Sequence, residues 1–154
     1  MDLKKLSLNI LPERMAVCRF EPSALLPEGL DGSEFYSVTR TKEELTVVCR
    51  EDSLVPGTVC ENGWRCIRVQ GVLDFSEIGI MFSITRPLAE AGISVFVIST
   101  YDTDYFLVKE KQLPEAIDAL TASGHQITES GSEDSSYRPG GLKTDISSQG
   151  VIFS

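Results

Sequence analysis

The stretch LDFSEIGIMFSITRPLAEAGISVFVISTYDTDYFLVK, residues 73–109, carries the most regular succession of secondary-structure signals in the chain. Apolar residues recur every fourth position from Ile80 to Leu88, which predicts a helix with one buried face. The apolar run 93–98 is typical of a strand inside a sheet. A polar turn follows it and leads into another strand, 104–109. The stretch therefore predicts a helix followed by two strands.

Both ends of this helix carry signals of their own. Asp74 and Glu77 have the spacing of a capping box, which places carboxylates where the first N–H groups of a helix lack partners. Gly92 suits the left-handed residue that follows many helices. Pro87 conflicts with the pattern, because proline lacks an N–H and clashes with the carbonyl four residues back. A kink or a break is expected at Pro87.

The flanking sequence completes a recognisable order of elements. Residues 64–69 predict a strand before the helix. After the two strands, residues 114–122 predict a helix with Pro114 at its first position, and a short strand begins at His125. The order strand, helix, strand, strand, helix, strand is that of the ferredoxin-like βαββαβ unit. The second half of the chain therefore predicts an α+β fold.

The first half predicts strands with little helix. Residues 4–10 and 15–20 read as two strands of a hairpin, joined by a tight turn at 12–14. Further strands are predicted at 34–40 and 45–50. This half is interpreted as a degenerate copy of the same unit.

Composition excludes several classes of protein. The chain has 154 residues, of which 42% are hydrophobic and 24% charged, which is ordinary for one or two small globular domains. A formal net charge of -9 disfavours a nucleic-acid partner. Neither a run of about 18 apolar residues nor a secretory signal is found, so no membrane association and a cytoplasmic location are expected.

The cysteines are Cys18, Cys49, Cys60 and Cys66. Their even number is compatible with two disulfides, but a chain of this length without a secretion signal favours reduced thiols. Cys18 and Cys49 are interpreted as small core residues in strands. Neither a CxxC pair nor a second histidine beside His125 occurs, so no metal site and no cofactor are expected.

Catalysis also has a weak basis in the sequence. A Ser-His-Asp or Cys-His arrangement would have to use His125, whose neighbours do not resemble a nucleophile motif. His125 follows Gly124, where a histidine can simply favour the end of a helix dipole. No GxGxxG or P-loop signature is present. We therefore expect a protein that is not an enzyme and has no catalytic residues.

The segments 73–80, 87–95 and 99–104 together resemble the ACT-domain family. The resemblance is greatest to the branch that contains the cytosolic arginine sensors and the regulatory halves of aspartate kinases. It implies tandem ACT-like units with antiparallel sheets: a β-rich unit over 1–62 and a βαββαβ ACT domain over 63–128. The composition of residues 129–154, rich in Ser, Gly, Asp and Glu, predicts a flexible polar tail.

The resemblance also implies a function and a site. Members bind small molecules, usually amino acids, between paired ACT units, so an amino acid ligand, a homodimer and a regulated protein partner are expected. The implied ligand-binding residues belong to the start of the first helix and to the turn after the second strand of the ACT domain: Asp74, Phe75, Glu77, Gly79, Ile80, Thr100, Tyr101, Thr103 and Asp104.

The chemistry of these positions suits a zwitterion. A helix N-terminus attracts a carboxylate, and Glu77 and Asp104 could pair with an ammonium or guanidinium group. Each position also has a structural interpretation: capping for Asp74 and Glu77, close packing for Gly79, and turn formation for the threonines. Asp104 and Tyr101 could equally be ordinary surface residues. A module that pairs without a ligand, or a non-catalytic regulatory partner of an amino-acid biosynthetic enzyme, remains the alternative function.

Overall fold

A computed structural model of the chain describes residues 4–54, 58–71 and 78–129. Within these ranges the chain divides into two compact units. Unit 1 comprises the described parts of residues 1–13 and 64–133, and unit 2 comprises the described parts of 14–63.

Seven strands and two helices make up the described chain, with short 3-10 turns at Glu51–Ser53 and Glu110–Gln112. In chain order the elements are β1 (Ser7–Phe20), β2 (Ser37–Arg40), β3 (Leu45–Arg50), β4 (Cys60–Val69), α1 (Ile80–Glu90), β5 (Phe96–Ser99), β6 (Asp104–Lys109), α2 (Leu113–Ala122) and β7 (Gln126–Glu129).

Unit 1 has the predicted ferredoxin-like order from β4 to β7. The strand β6 lies between β4 and β5 and is antiparallel to both. The first part of β1 lies beside β4 and pairs in parallel with β7. The two helices contribute to an apolar core with one face of these strands, as the fully buried Ile84, Leu88, Phe106 and Leu120 show. The α+β prediction is confirmed.

The N-terminal segment belongs to unit 1, whereas the sequence division at residue 62 placed it with the rest of the first half. Leu8 and Ile10 are fully buried in the core of unit 1. The Ser7 carbonyl accepts a hydrogen bond from the Gln70 N–H at 2.9 Å. Pairing with β7, far along the chain, cannot be read from local pattern, which explains why the sequence division missed it.

Unit 2 is a small antiparallel sheet in which β3 lies between β2 and β1. Its core contains Val38, Leu45, Val47 and Cys49, all fully buried. The Arg19 N–H donates to the Val59 carbonyl at 3.0 Å, so the residues that lead into β4 pair with the end of β1.

The predicted hairpin over residues 4–20 is wrong, because β1 is one continuous strand. The two hydrogen bonds between β1 and the β4 segment, Gln70 to Ser7 and Arg19 to Val59, are 12 residues apart on one chain segment and 11 on the other. β1 therefore contains one extra residue. Proline is tolerated in sheets at such irregularities, so a strand can pass through Pro12.

The first helix differs from prediction at its start. α1 begins at Ile80, with Gly79 as the N-cap residue at φ 88°. Asp74 is therefore not its cap, and the predicted capping box lies outside the described residues. The other end is as predicted: Gly92 has φ 76°, and the Ile93 N–H bonds the Leu88 carbonyl at 2.9 Å. The helix continues unbroken through Pro87.

The cysteines were expected as thiols, and for two of them this is wrong. Cys18 and Cys60 form a disulfide within unit 2, with their sulfur atoms 2.08 Å apart. The two residues lie on neighbouring antiparallel strands, an adjacency that the sequence pattern did not show. Cys49 and Cys66 are buried and form no disulfide, and Cys18 and Cys49 are core residues as expected.

No helix within the described ranges is both long and apolar enough to cross a bilayer. Of the predicted tail, only Glu129 is described, and it is the last residue of β7. The rest of the tail lies outside the described residues.

Candidate functional site

The predicted site residues fall on two segments of unit 1. Gly79 and Ile80 lie at the start of α1. Residues 100–103 form the turn from β5 into β6, and Asp104 is the first residue of β6. Three further predicted residues, Asp74, Phe75 and Glu77, lie outside the described residues.

The β5–β6 turn is closed by its own threonines. The Thr100 N–H donates to the Thr103 carbonyl at 2.8 Å, and the Thr100 hydroxyl donates to the same oxygen at 3.0 Å. The Thr103 N–H in turn donates to the Thr100 hydroxyl oxygen at 3.3 Å. Thr100 therefore shapes the turn, as hydroxyl residues commonly do.

Thr103 connects this turn to the end of β4. Its side chain is 3% exposed, and its hydroxyl donates to the Val69 carbonyl at 2.7 Å. Val69 is the last residue of β4, from which the chain proceeds to Gly79 and α1. The β5–β6 turn and the end of β4 therefore meet at one edge of the unit 1 sheet. The Thr103 hydroxyl itself is used within the protein and acts as a positioning group.

The start of α1 offers backbone donors. Gly79 adopts a left-handed conformation that favours glycine, and its carbonyl accepts the Ser83 N–H at 2.9 Å. The first turn of α1 contains no acidic side chain, so no carboxylate of that turn neutralises the positive end of the helix dipole. Ile80 is 6% exposed and belongs to the packed interior.

Two of the predicted site residues in and after the turn remain accessible. Tyr101 is 80% exposed, and the half-buried Asp104 pairs with Ser99 across the β5–β6 ladder. A carboxylate on this edge can bind a cation, while the helix start can bind an anion. The Asp104 carboxylate and the backbone N–H groups at the start of α1 would together suit a small molecule that carries one positive and one negative group.

The role of His125 was missed by the sequence analysis. Its ring is 3% exposed; Nδ1 accepts the Leu6 N–H at 3.1 Å, and Nε2 lies 2.9 Å from the Ser83 carbonyl oxygen. Nε2 must carry the proton, because a carbonyl can only accept. Both ring nitrogens of the single histidine are thus engaged with backbone, so it is not available as a catalytic base. Pro87 was the available signal, since it leaves the carbonyl four residues earlier without its helical donor.

Unit 2 contains an open cleft of about 330 Å³ that the sequence did not indicate. Its charged groups have partners: Arg19 donates to the Glu43 carbonyl at 3.1 Å, and Glu44 accepts the Thr46 hydroxyl at 2.9 Å. No group of acidic, histidine or cysteine side chains suited to a metal ion occurs in the described part of the chain.

Family models match the chain over two adjacent ranges. Residues 59–122 match an ACT domain, and residues 13–58 match an N-terminal domain model. The cytosolic arginine sensor for mTORC1 subunit 1 is 43% identical over 58 residues in Homo sapiens, covering 37% of this chain and 18% of that protein. Its Rattus norvegicus counterpart is 33% identical over 110 residues, covering 65% of this chain and 33% of that protein. The chain thus spans one third or less of these relatives.

Solved structures are similar over most of the chain. Protein Atu0741 from Agrobacterium tumefaciens is 36% identical with a TM-score of 0.77, covering 82% of this chain and 94% of that one. The aspartate kinase of Clostridium acetobutylicum has a TM-score of 0.57 at 11% identity, covering 80% of this chain and 36% of the enzyme, and shows a shared fold.

Proposed function

Because the chain belongs to the ACT-domain family, we propose that it is a non-catalytic regulatory module that binds an amino acid or a related small molecule. The ligand would lie between the β5–β6 turn and the start of α1 in unit 1. The names of its relatives support this class of ligand, since they include a cytosolic arginine sensor.

The observation that carries the proposal is the 2.7 Å hydrogen bond from the Thr103 hydroxyl to the Val69 carbonyl. It fixes the turn beside the strand that leads to α1. The ligand carboxylate would accept hydrogen bonds from backbone N–H groups that follow Gly79, and its cationic group would pair with Asp104. The ligand would also contact Asp74, Phe75 and Glu77, and Thr100 would support the turn.

Pairing with a second copy of the chain would cover this edge. Tyr101 is 80% exposed at the turn, and a large aromatic side chain of this kind is typical of protein interfaces. A ligand held between two copies would favour the paired form over others, and a protein partner could respond to that difference. We propose a cytoplasmic location for this module, because the sensor relatives are named as cytosolic proteins.

Isothermal titration of the full chain against the twenty amino acids tests the proposal. We expect saturable binding of at least one of them, and Asp104→Asn should weaken that binding by about tenfold or more, because a charge-assisted hydrogen bond is lost. Asp118→Asn is the matched control, since Asp118 is an exposed carboxylate on α2. It should leave the affinity unchanged.

The alternative is a module that pairs without a ligand, or a non-catalytic subunit that regulates a biosynthetic enzyme. It predicts no heat of binding for any amino acid up to millimolar concentration. It also predicts that Asp104→Asn leaves the solution mass of the protein unchanged whether or not amino acids are present.

A further inference from the structure

We propose that the Cys18–Cys60 disulfide is a reversible redox bond that controls the folding stability of unit 2 and leaves unit 1 unaffected. This inference does not depend on the ligand proposed for unit 1. It rests on where the two cysteines lie in the fold and on which segments the bond encloses.

The bond joins two neighbouring strands directly. The Arg19 N–H bonds the Val59 carbonyl, so Cys18 and Cys60 are the next residues along β1 and β4 and lie opposite each other. Their Cα atoms are 4.0 Å apart. Cys18 also lies opposite Val47 of β3, so its side chain shares the core face of unit 2 with Val47.

The covalent loop contains nearly all of unit 2. The two cysteines are 42 positions apart, and the intervening chain includes β2 and β3. Reduction therefore releases the whole small sheet from its closure, and a disulfide over a loop of this length stabilises mainly by restricting the unfolded chain. Both helices and β5, β6 and β7 lie outside the loop, in unit 1.

Both cysteines line the open cleft of unit 2, and Cys60 is the more exposed of the two. Cys18 is 1% exposed, whereas Cys60 is half-buried at the first position of β4. An external thiolate would therefore attack the sulfur of Cys60. Exchange between thiols and disulfides requires such access to the attacked sulfur.

The chemistry is a two-electron exchange with a dithiol reductant. One thiolate of the dithiol bonds to the Cys60 sulfur, the Cys18–Cys60 bond breaks, and Cys18 leaves as a thiolate that takes up a proton. The second thiolate of the dithiol then attacks the first sulfur of the same dithiol, which is bonded to Cys60. Cys60 leaves as a thiolate and takes up a proton. The protein gains two thiols, and the dithiol becomes a disulfide.

The free thiol nearest along the sheet does not compete. Cys49 of β3 lies opposite Ala16 of β1 and is fully buried. Burial raises the pKa of the Cys49 thiol to about 11, so it is protonated near neutral pH and is a poor nucleophile. Unit 2 therefore has two states, one with the Cys18–Cys60 disulfide and one without it. Cys49 does not exchange with either cysteine of the bond.

Hydrogen exchange of the full chain, with and without dithiothreitol, tests the proposal. Intact mass after thiol alkylation in denaturant first verifies two blocked cysteines before reduction and four afterwards. We expect amide protection in β2 and β3 to fall by about tenfold or more on reduction, while protection in α1 and α2 stays the same. Glutathione disulfide should restore the original pattern.

Two variants complete the test. Cys18→Ala combined with Cys60→Ser should show the exchange of the reduced protein and no response to dithiothreitol. Cys49→Ala, the matched control, should respond as the unaltered chain does. If the double variant does not fold, the reduced unaltered protein supplies the same comparison.

Three results would overturn the proposal: unchanged protection in β2 and β3 after reduction, an equal loss in both units, or failure of glutathione disulfide to re-form the bond. None of them bears on amino acid binding, which the titration measures separately.

Discussion

His125 donates its Nε2–H to the Ser83 carbonyl oxygen, 2.9 Å away, in the middle of α1. This carbonyl would normally accept the N–H of the residue four positions later, but that residue is Pro87. The histidine thus replaces the donor that proline removes, and α1 continues without a break. The same ring accepts the Leu6 N–H, so it also connects α1 to the start of the chain.

Replacement of His125 by alanine should destabilise unit 1 strongly. The change leaves the Leu6 N–H and the Ser83 carbonyl without these partners in a buried region, and each unpaired group costs about 1–3 kcal/mol. We expect the free energy of unfolding, measured by urea denaturation, to fall by about 2–4 kcal/mol. A loss below about 0.5 kcal/mol would contradict this role.

A double-mutant cycle isolates the bond to the helix. In a Pro87→Ala background, the new N–H of residue 87 can bond Ser83, so His125→Ala should cost about 1 kcal/mol less there than in the unaltered chain. Additive effects of the two changes would show that the histidine does not replace the missing donor.

Much of unit 1 could be predicted from the sequence, because its elements are locally encoded. Ile80, Ile84 and Leu88 indicate the buried face of α1, and Gly92 indicates its end. The continuous β1 strand, its pairing with β7 and the Cys18–Cys60 bond depend on segments far apart in the chain. Local periodicity carries no information about such partners.

Gly92→Ala tests the end of α1 separately from packing. Gly92 has φ 76°, and an added methyl group would meet no atom within 4 Å. The cost is therefore that of the left-handed backbone alone, about 1 kcal/mol. Gly32→Ala, where there is also open space but no left-handed backbone, is the control and should change unfolding by less than about 0.5 kcal/mol. Equal effects of the two substitutions would refute this account.

For the candidate site, the sequence predicts two segments, whose binding of a ligand stays a prediction, but it does not predict what each side chain contacts within the fold. The hydroxyl of Thr103 donates to the Val69 carbonyl, a contact that the sequence pattern does not show, because a buried hydroxyl must find a partner. Ile80 is likewise part of the packed interior. Which way a side chain points at a turn depends on the neighbouring strand, and the sequence pattern does not specify it.

Thr103→Val should loosen the turn with little change in side-chain volume. The substitution leaves the Val69 carbonyl without the Thr103 hydroxyl donor, at a cost of about 1–2 kcal/mol in the free energy of unfolding. Hydrogen exchange should also become faster for the backbone amide at position 103 in this variant. Thr121→Val on the exposed side of α2 should change neither measurement appreciably. An unaltered turn in the Thr103 variant would remove the observation on which the site depends.

The thiol of Cys49 should make stability depend on pH in the alkaline range. Burial raises its pKa from 9.0 to about 11, with Arg50 opposing and Asp52 reinforcing the shift. The folded chain therefore holds this proton more tightly than the unfolded chain. The resulting stability is fully present below pH 9.0 and is lost as the pH rises to about 11.

Urea denaturation between pH 8 and pH 11 measures this dependence, with a slope of at most about 1.4 kcal/mol per pH unit for one proton. Lysines and tyrosines titrate in the same range, so the slope is compared with that of Cys49→Ala, which should be shallower. Val48→Ala removes neighbouring buried volume without removing a titrating group, because Val48 is 2% exposed on the same strand. It should lower stability at every pH and keep the slope of the unaltered chain. Parallel curves for all three proteins would mean that the Cys49 thiol is not the group responsible.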